Sequence, residues 1–446
     1  MADIAFIESM NDTYFHGELS ESQINFLKDL DMDNAEAVGF VEGAMARMKR
    51  ILISARDCTE FIFWEMASIW PKILPGAWSG IVPPITFSNR HVLLENYMEK
   101  NRWKPLNTGS QVLDIGCGFP PLTAVDLSKR FSEVNVIGAD VSFGKYTVTD
   151  SDGNYACISN EGDIKYLQPV SGRVDQWNRL FENLEATRLE FLRQFIELKD
   201  GLPEQEKQSG YEEFQRDGWS IVRNPLRKYG SGNLSFVEKG IGDDGFPNNL
   251  DLIRCMNVLL YFDPAFREHT LEWACRHLKA GGLFVCGMNW SESINCRFSV
   301  YRKEGDTMIL KEFSFSVENI RPLEGVSYFS FRDDDFEQEQ MLEHILLIRQ
   351  HGSFMEKFNS GFDELLKQNA VCTRNETGYL GFINATIAPH QLLANMSNTC
   401  FQLSGLFAEE AVALLRGLGR EAWVNEIGFI SVLIPDQGLR TSALNR

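Results

Sequence analysis

The stretch VLDIGCGFPPLTAVDL, residues 112–127, sets Asp114, Gly116 and Gly118 directly after a strand-like apolar run and directly before a helix-like one. Glycines ahead of a helix N-terminus let a ligand approach bare backbone N–H groups. The next strand-like run, VNVIGAD, ends at Asp140, about twenty residues on. An acid that closes the second strand after such a loop is placed to accept hydrogen bonds from two ribose hydroxyls. Alone, Asp140 would serve equally well as a cap for the following turn. The dinucleotide fingerprint GxGxxG needs a small residue at 121, where this chain has Pro121 after Pro120, a poor match to a nicotinamide dinucleotide.

These residues need a sheet to hold them. From residue 111 short β-rich runs (QVLDI, VNVIGAD, LSFVE, LDLIRC, GLFVCG) alternate with helical candidates such as 263–279. That alternation predicts an α/β fold with a doubly wound, mostly parallel, Rossmann-like sheet. A βαβ unit takes about 30 residues, so the span from Asp140 to Leu234 must carry an insertion, placed at 146–232. The insertion reads as a hairpin turning at Asp152-Gly153, then a helix. That helix's stripe runs through Val174, Trp177, Leu180, Phe181, Leu184, Phe191, Phe195 and Leu198. Residues 1–104 form an N-terminal helical region, its first twenty residues frayed. Residues 105–330 form the central domain, with TMILKEFSFSV among its final strands. Residues 331–446 form a C-terminal α+β region ending in helix, turn and strand.

At 446 residues the chain is long enough for two or three cores. A net charge of −19 without a long basic run argues against a nucleic-acid partner. The N-terminus lacks a signal-peptide pattern, and no apolar stretch approaches the ~20 residues of a membrane span. Nine scattered cysteines without CxxC point to reduced thiols, and the expected location is cytoplasmic. Cys255 and Cys286 read as small core residues. His269 and His277 lack a third ligand, so no metal is expected. No nucleophile elbow or Walker loop is present.

The motifs VLDIGCG, VIGADVS, LDLIRCMNVLLYFD and LKAGGLFVCG together resemble those of class I S-adenosylmethionine-dependent methyltransferases. The stretch from Asn249 to Gly287 is similar to the chemotaxis-receptor glutamate methyltransferases and their unassigned relatives, and the likeness covers about 110–320. It implies S-adenosyl-L-methionine as cofactor. Asp114, Gly116, Cys117 and Gly118 would shape the pocket for its methionine part, Asp140 would bind the ribose, and Gly242 and Asp243 would lie near the adenine. Asn257 would sit at the end of the fourth strand, and Tyr261 would lie close to the transferred methyl. In that family an arginine precedes the asparagine; here it is Met256. The receptor enzymes also carry a basic N-terminal domain, whereas residues 1–100 here hold fifteen acidic and eight basic side chains.

The expected acceptor is a small molecule or a peptide. A hydroxyl or ammonium acceptor needs a base to take its proton and a carboxylate does not. No residue stands out as a base, which leans toward a carboxylate. Protein-carboxyl methylation, aminopropyl transfer and cofactor binding without turnover stay open, as does a homodimer. The segment before the first strand could form a flap bringing Arg90, His91, Asn96 and Tyr97 to the site; a helix leading into the sheet accounts for it as well.

Overall fold

The computed structural model describes residues 4–69, 86–103, 106–168, 183–203, 210–290, 294–328, 330, 332–384 and 387–434. The chain is mixed α/β and divides into two compact units. One comprises Lys72–Asn89 and Asn107–Cys255, the other Met1–Pro71, Arg90–Leu106 and Met256–Arg446.

In the first unit, β1 (Gln111–Ile115) and β2 (Asn135–Ala139) pair in parallel around the helix Leu122–Arg130. An antiparallel sheet follows: β3 (Tyr146–Thr149), β4 (Tyr155–Ile158), β5 (Ile164–Gln168), β6 (Glu212–Arg216) and β7 (Trp219–Arg223), in the order β5–β4–β3–β7–β6. The chain then returns as β8 (Leu234–Val237) and β9 (Leu250–Met256). β8 pairs in parallel with β2, and β9 with β1, giving the order β8–β2–β1–β9. Every residue of β9 is buried, as a strand covered on both faces requires. The connections leave β1 in opposite directions, toward β2 and toward β9. Such a reversal marks where open α/β sheets bind ligands, beyond the strands' C-terminal ends.

The inserted sheet has its own core. The helix Leu184–Lys199 lays Phe191, Phe195 and Leu198 against Tyr146, Val148, Leu167 and Ile221. Asp150 closes the β3–β4 hairpin by accepting from the amides of Asp152 (2.9 Å) and Asn154 (2.8 Å). Val174, Trp177, Leu180 and Phe181 of the expected stripe lie outside the described residues.

In the second unit, β10 (Leu278–Met288), β11 (Arg297–Glu304) and β12 (Thr307–Phe315) run antiparallel. β13 (Cys372–Arg374) and β14 (Leu380–Phe382) form a separate hairpin. β15 (Ala422–Val424) and β16 (Ile430–Val432) extend the larger sheet, because β16 pairs antiparallel with β12. The sheet of this unit is antiparallel, and residue 330 does not separate two regions within it, since β12 and β16, from either side of it, pair. Nor are residues 4–15 frayed: the helix Ile4–Phe15 buries Ile7, Met10 and Phe15, and the Phe15 ring meets that of Phe63 edge-on at 5.7 Å. Arg47, from the helix Ala35–Arg50, donates to the Tyr328 carbonyl (3.1 Å) and to Asp333 (2.8 Å).

Two groups of buried carboxylates hold this unit. Glu312 accepts from the Tyr97 hydroxyl (2.8 Å), the Trp103 indole (2.8 Å), Ser314 (2.8 Å) and Ser431 (2.6 Å). Glu65, Glu318 and Glu324 are also buried, with neutral donors. The Gly325 amide donates to Glu65 (2.9 Å), the Asn295 amide to Glu318 (2.7 Å) and the Asn295 side chain to Glu324 (3.1 Å). Burial pushes Glu318 up to about 7 and Glu324 up to about 8, and raises Glu65 as well.

All nine cysteines are buried free thiols. Among the described residues no helix is long and apolar enough to cross a membrane, and no group of three or more His, Cys, Asp or Glu is arranged to hold a metal ion. His277 lies against Trp273, ring centroids 5.1 Å apart.

Candidate functional site

The loop after β1 turns through Gly116 (φ 76°) and Gly118 (φ 68°), backbone conformations that favour glycine. Its amides do not stand bare, which corrects the sequence expectation. Those of Gly116 and Cys117 donate to the Ala139 carbonyl (2.8 and 3.3 Å), and that of Gly118 donates to Asp140 Oδ2 (2.8 Å). What the glycines leave open is space without side chains. Burial raises the Cys117 thiol well above its ordinary pKa, so it stays protonated.

Asp114 faces inward. Its carboxylate, 3% exposed, takes Arg254 Nε at 2.8 Å and Nη2 at 2.7 Å, and the Thr123 hydroxyl at 3.0 Å. Arg254 is fully buried on β9 and also donates to the Thr123 carbonyl (2.9 Å). Asp114 therefore braces the loop, tying β1 to β9 and to the first turn of the helix Leu122–Arg130. Sequence reading passed over Arg254; the one arginine in the strand LDLIRCM was its only signal. Met256, in place of the family arginine, is buried.

Asp140, 6% exposed, closes its own turn: Oδ1 accepts from the Ser142 amide (2.8 Å) and hydroxyl (2.5 Å). A carboxylate offers about four lone-pair positions, so three internal donors leave room for a ligand hydroxyl. The next side chain, Val141, is apolar and 64% exposed. A Cβ on Gly240 would meet Val141 Cγ1 at 2.6 Å, so the turn after β8 passes against this valine. Asp243 closes that turn by accepting from the Gly240 amide (2.7 Å), and Gly242 takes φ 94°. The structure thus brings together Gly116, Gly118, Asp140, Val141 and the 240–243 turn. Val141 was missed because a single exposed valine carries no sequence signal.

The inserted sheet reaches the same loops. The Tyr155 hydroxyl donates to the Phe119 carbonyl (3.0 Å), and the Phe119 ring lies edge-on to Tyr155 (5.9 Å) and Tyr229 (6.0 Å). Cys157 Sγ lies 3.5 Å from the Ser142 carbonyl. A cavity of about 940 Å³ opens elsewhere in this unit, lined by Lys165, Arg227, Phe236 and Glu238 among others. None of the predicted site residues lines it.

Asn257 and Tyr261 belong to the other unit. Asn257 sits at φ 60°; its amide donates to the Gly287 carbonyl (2.7 Å) and its Oδ1 accepts from the Asn289 amide (3.1 Å). The Asn289 side chain donates to the Arg90 carbonyl (2.6 Å), and Arg90 Nη2 returns to the Asn289 carbonyl (3.0 Å). Burial pushes the Tyr261 phenol up to about 12 while the Arg90 cation draws it down, and burial pulls Arg90 down to about 10. Tyr261 therefore holds its proton at neutral pH. Of the expected flap residues, Arg90 joins Asn257 through Asn289, whereas Tyr97 is committed to Glu312.

No family model matches the chain, and no curated protein matches it. Solved structures do align. One is titled a putative O-methyltransferase from Nostoc punctiforme (11% identity, 62% of this chain and 56% of that one, TM-score 0.22). Another is Haemonchus contortus phosphoethanolamine N-methyltransferase 2 in complex with S-adenosyl-L-methionine (12% identity, 84% and 60%, TM-score 0.27). A third is coclaurine N-methyltransferase (8% identity, 96% and 98%, TM-score 0.24). The chain spans less than two thirds of the length of the first two.

Proposed function

We propose that the protein is an S-adenosylmethionine-dependent methyltransferase acting on a small-molecule or peptide acceptor. One observation carries this: the glycine loop after β1 is hydrogen-bonded through Gly118 to the acid that ends the adjacent parallel strand. That couples a glycine-containing loop to a carboxylate with acceptor capacity left, at the C-terminal ends of parallel strands. The motif resemblance to class I methyltransferases agrees with it.

The residues present fit the cofactor. Asp140 would hold the ribose hydroxyls, Val141 and the 240–243 turn would flank the adenine, and the Gly116–Gly118 backbone would admit the methionine part. Bound there, S-adenosylmethionine supplies a sulfonium methyl whose leaving group is a neutral thioether. The protein's task is then to hold donor and acceptor in line, which is catalysis by proximity and orientation. From their place in the chain after β9, Asn257 and Tyr261 are proposed for the acceptor side. Tyr261 keeps its proton, so it would orient an acceptor oxygen by donating to it. An acceptor that needs no deprotonation, a carboxylate above all, suits such a site.

Calorimetric titration of S-adenosylmethionine into wild type, Asp140→Ala and Gly116→Trp tests this. Micromolar binding by wild type, weakened at least a hundredfold in both variants (about 2.7 kcal/mol), is the expected result. No binding by wild type sinks the proposal.

A further inference from the structure

We infer that the inserted sheet serves the cofactor loop, and that Tyr155 is a positioning residue setting its conformation; this rests on the cofactor reading above. The contacts of the inserted sheet lie on both loops that would hold the nucleoside and methionine ends. Tyr155, from β4, donates to the Phe119 carbonyl at the end of the glycine loop, and its ring packs on Phe119. Tyr166, from β5, backs Tyr155, ring centroids 6.2 Å apart. Two residues along β4, Cys157 reaches the turn that Asp140 closes. A Cβ on Gly144 would meet Cys157 Sγ at 2.5 Å and the Ile158 carbonyl oxygen at 2.6 Å, so no side chain separates that turn from β4.

The loop needs such support. Its residues Pro120 and Pro121 have no amide hydrogen to bond with. Its glycines are the least restrained residues of the unfolded chain and the costliest to order. The Gly118 amide reaches Asp140 only while the loop keeps its shape. With Tyr155 in place, the loop is ordered before the cofactor arrives, and binding does not bear the ordering cost. The phenol is buried and its pKa raised, so it remains a donor throughout the physiological range.

The test is Tyr155→Phe, which deletes the hydroxyl and keeps the ring, beside Tyr211→Phe, whose hydroxyl donates to Glu213 at 3.3 Å. In the full-length chain, three quantities are measured: the S-adenosylmethionine Kd, the melting temperature, and amide hydrogen exchange without ligand. Tyr155→Phe is expected to weaken binding about fivefold, the scale of one hydrogen bond. Exchange at residues 116–119 should quicken while β1, β2 and the melting temperature hold. Tyr211→Phe should match wild type. Wild-type affinity in Tyr155→Phe overturns the inference, as does weakening that comes with a lower melting temperature and faster exchange everywhere. Should wild type itself fail to bind, the cofactor reading falls, and unchanged exchange at 116–119 would separately dispose of the clamp.

Discussion

Asp114 is the residue whose role the structure changes most, and replacing it by alanine tests that role. The substitution leaves Arg254, fully buried, without the carboxylate that holds it at 2.7 and 2.8 Å. Breaking a buried ion pair by removing one partner costs about 3–5 kcal/mol, because a charge is stranded in a poorly solvated place. Against a total stability of about 5–15 kcal/mol, that is a large fraction. At about 2–4 °C per kcal/mol for a domain of this size, the melting temperature of this unit should fall by roughly 10 °C. Arg254→Met should cost a similar amount by stranding Asp114. The combination Asp114→Leu with Arg254→Met should cost less than either single change, since two apolar groups replace the pair. Differential scanning calorimetry and urea denaturation of the four proteins measure these differences. An Asp114→Ala protein that melts within about 2 °C of wild type yet no longer binds S-adenosylmethionine would refute the brace and make Asp114 a direct ligand contact.

Further outcomes follow from the buried carboxylates and the close-packed turns. Glu318 and Glu324 titrate near 7 and 8 when folded, against an ordinary 4.5, so the native state holds extra protons across that window. Their contribution to stability is full below about pH 4.5 and is lost as pH rises through 8; Glu324→Gln should remove about 2 kcal/mol of the loss between pH 6 and 8.5, read by urea melts at both values. Glu312→Ala strips Tyr97, Trp103, Ser314 and Ser431 of an acceptor and should cost about 3–5 kcal/mol, with thermal melting as the measure. Tyr97→Phe should cost about 1 kcal/mol and leave the S-adenosylmethionine Kd unchanged; a weakened Kd would return Tyr97 to the site. Gly240→Ala forces Val141 aside, so cofactor affinity should drop more than the melting temperature does.

Much of the parallel unit was legible because its signals are local. The β1 run, the glycines and the acid at the end of β2 fall within thirty residues, and each carries its meaning in its own type. What the loop amides do was not legible, since the Ala139 carbonyl meets them only through the β1–β2 register. Arg254 was hidden for the same reason: its partner lies 140 residues away. The strands β15 and β16 have three residues each, too few for a period-2 pattern, and β16 finds its partner in β12 more than a hundred residues earlier. The helix Ile4–Phe15 was misjudged because IAFIESM carries polar residues between its apolar ones, and only the packed structure shows which face is covered.

The discontinuity of the antiparallel unit sets an order of assembly during synthesis. Arg47 waits for Asp333, 286 residues downstream, and β12 stays an open edge until β16 has emerged. At a translation rate of about 5–20 residues per second, that first wait lasts roughly 15–60 s. The segment Asn107–Cys255 is continuous and has no such wait. Its glycine loop, acid turn and inserted sheet can be complete while the N-terminal helices are still without the partners that bury them, so the nascent chain carries the proposed nucleoside site already folded on an otherwise unfinished protein.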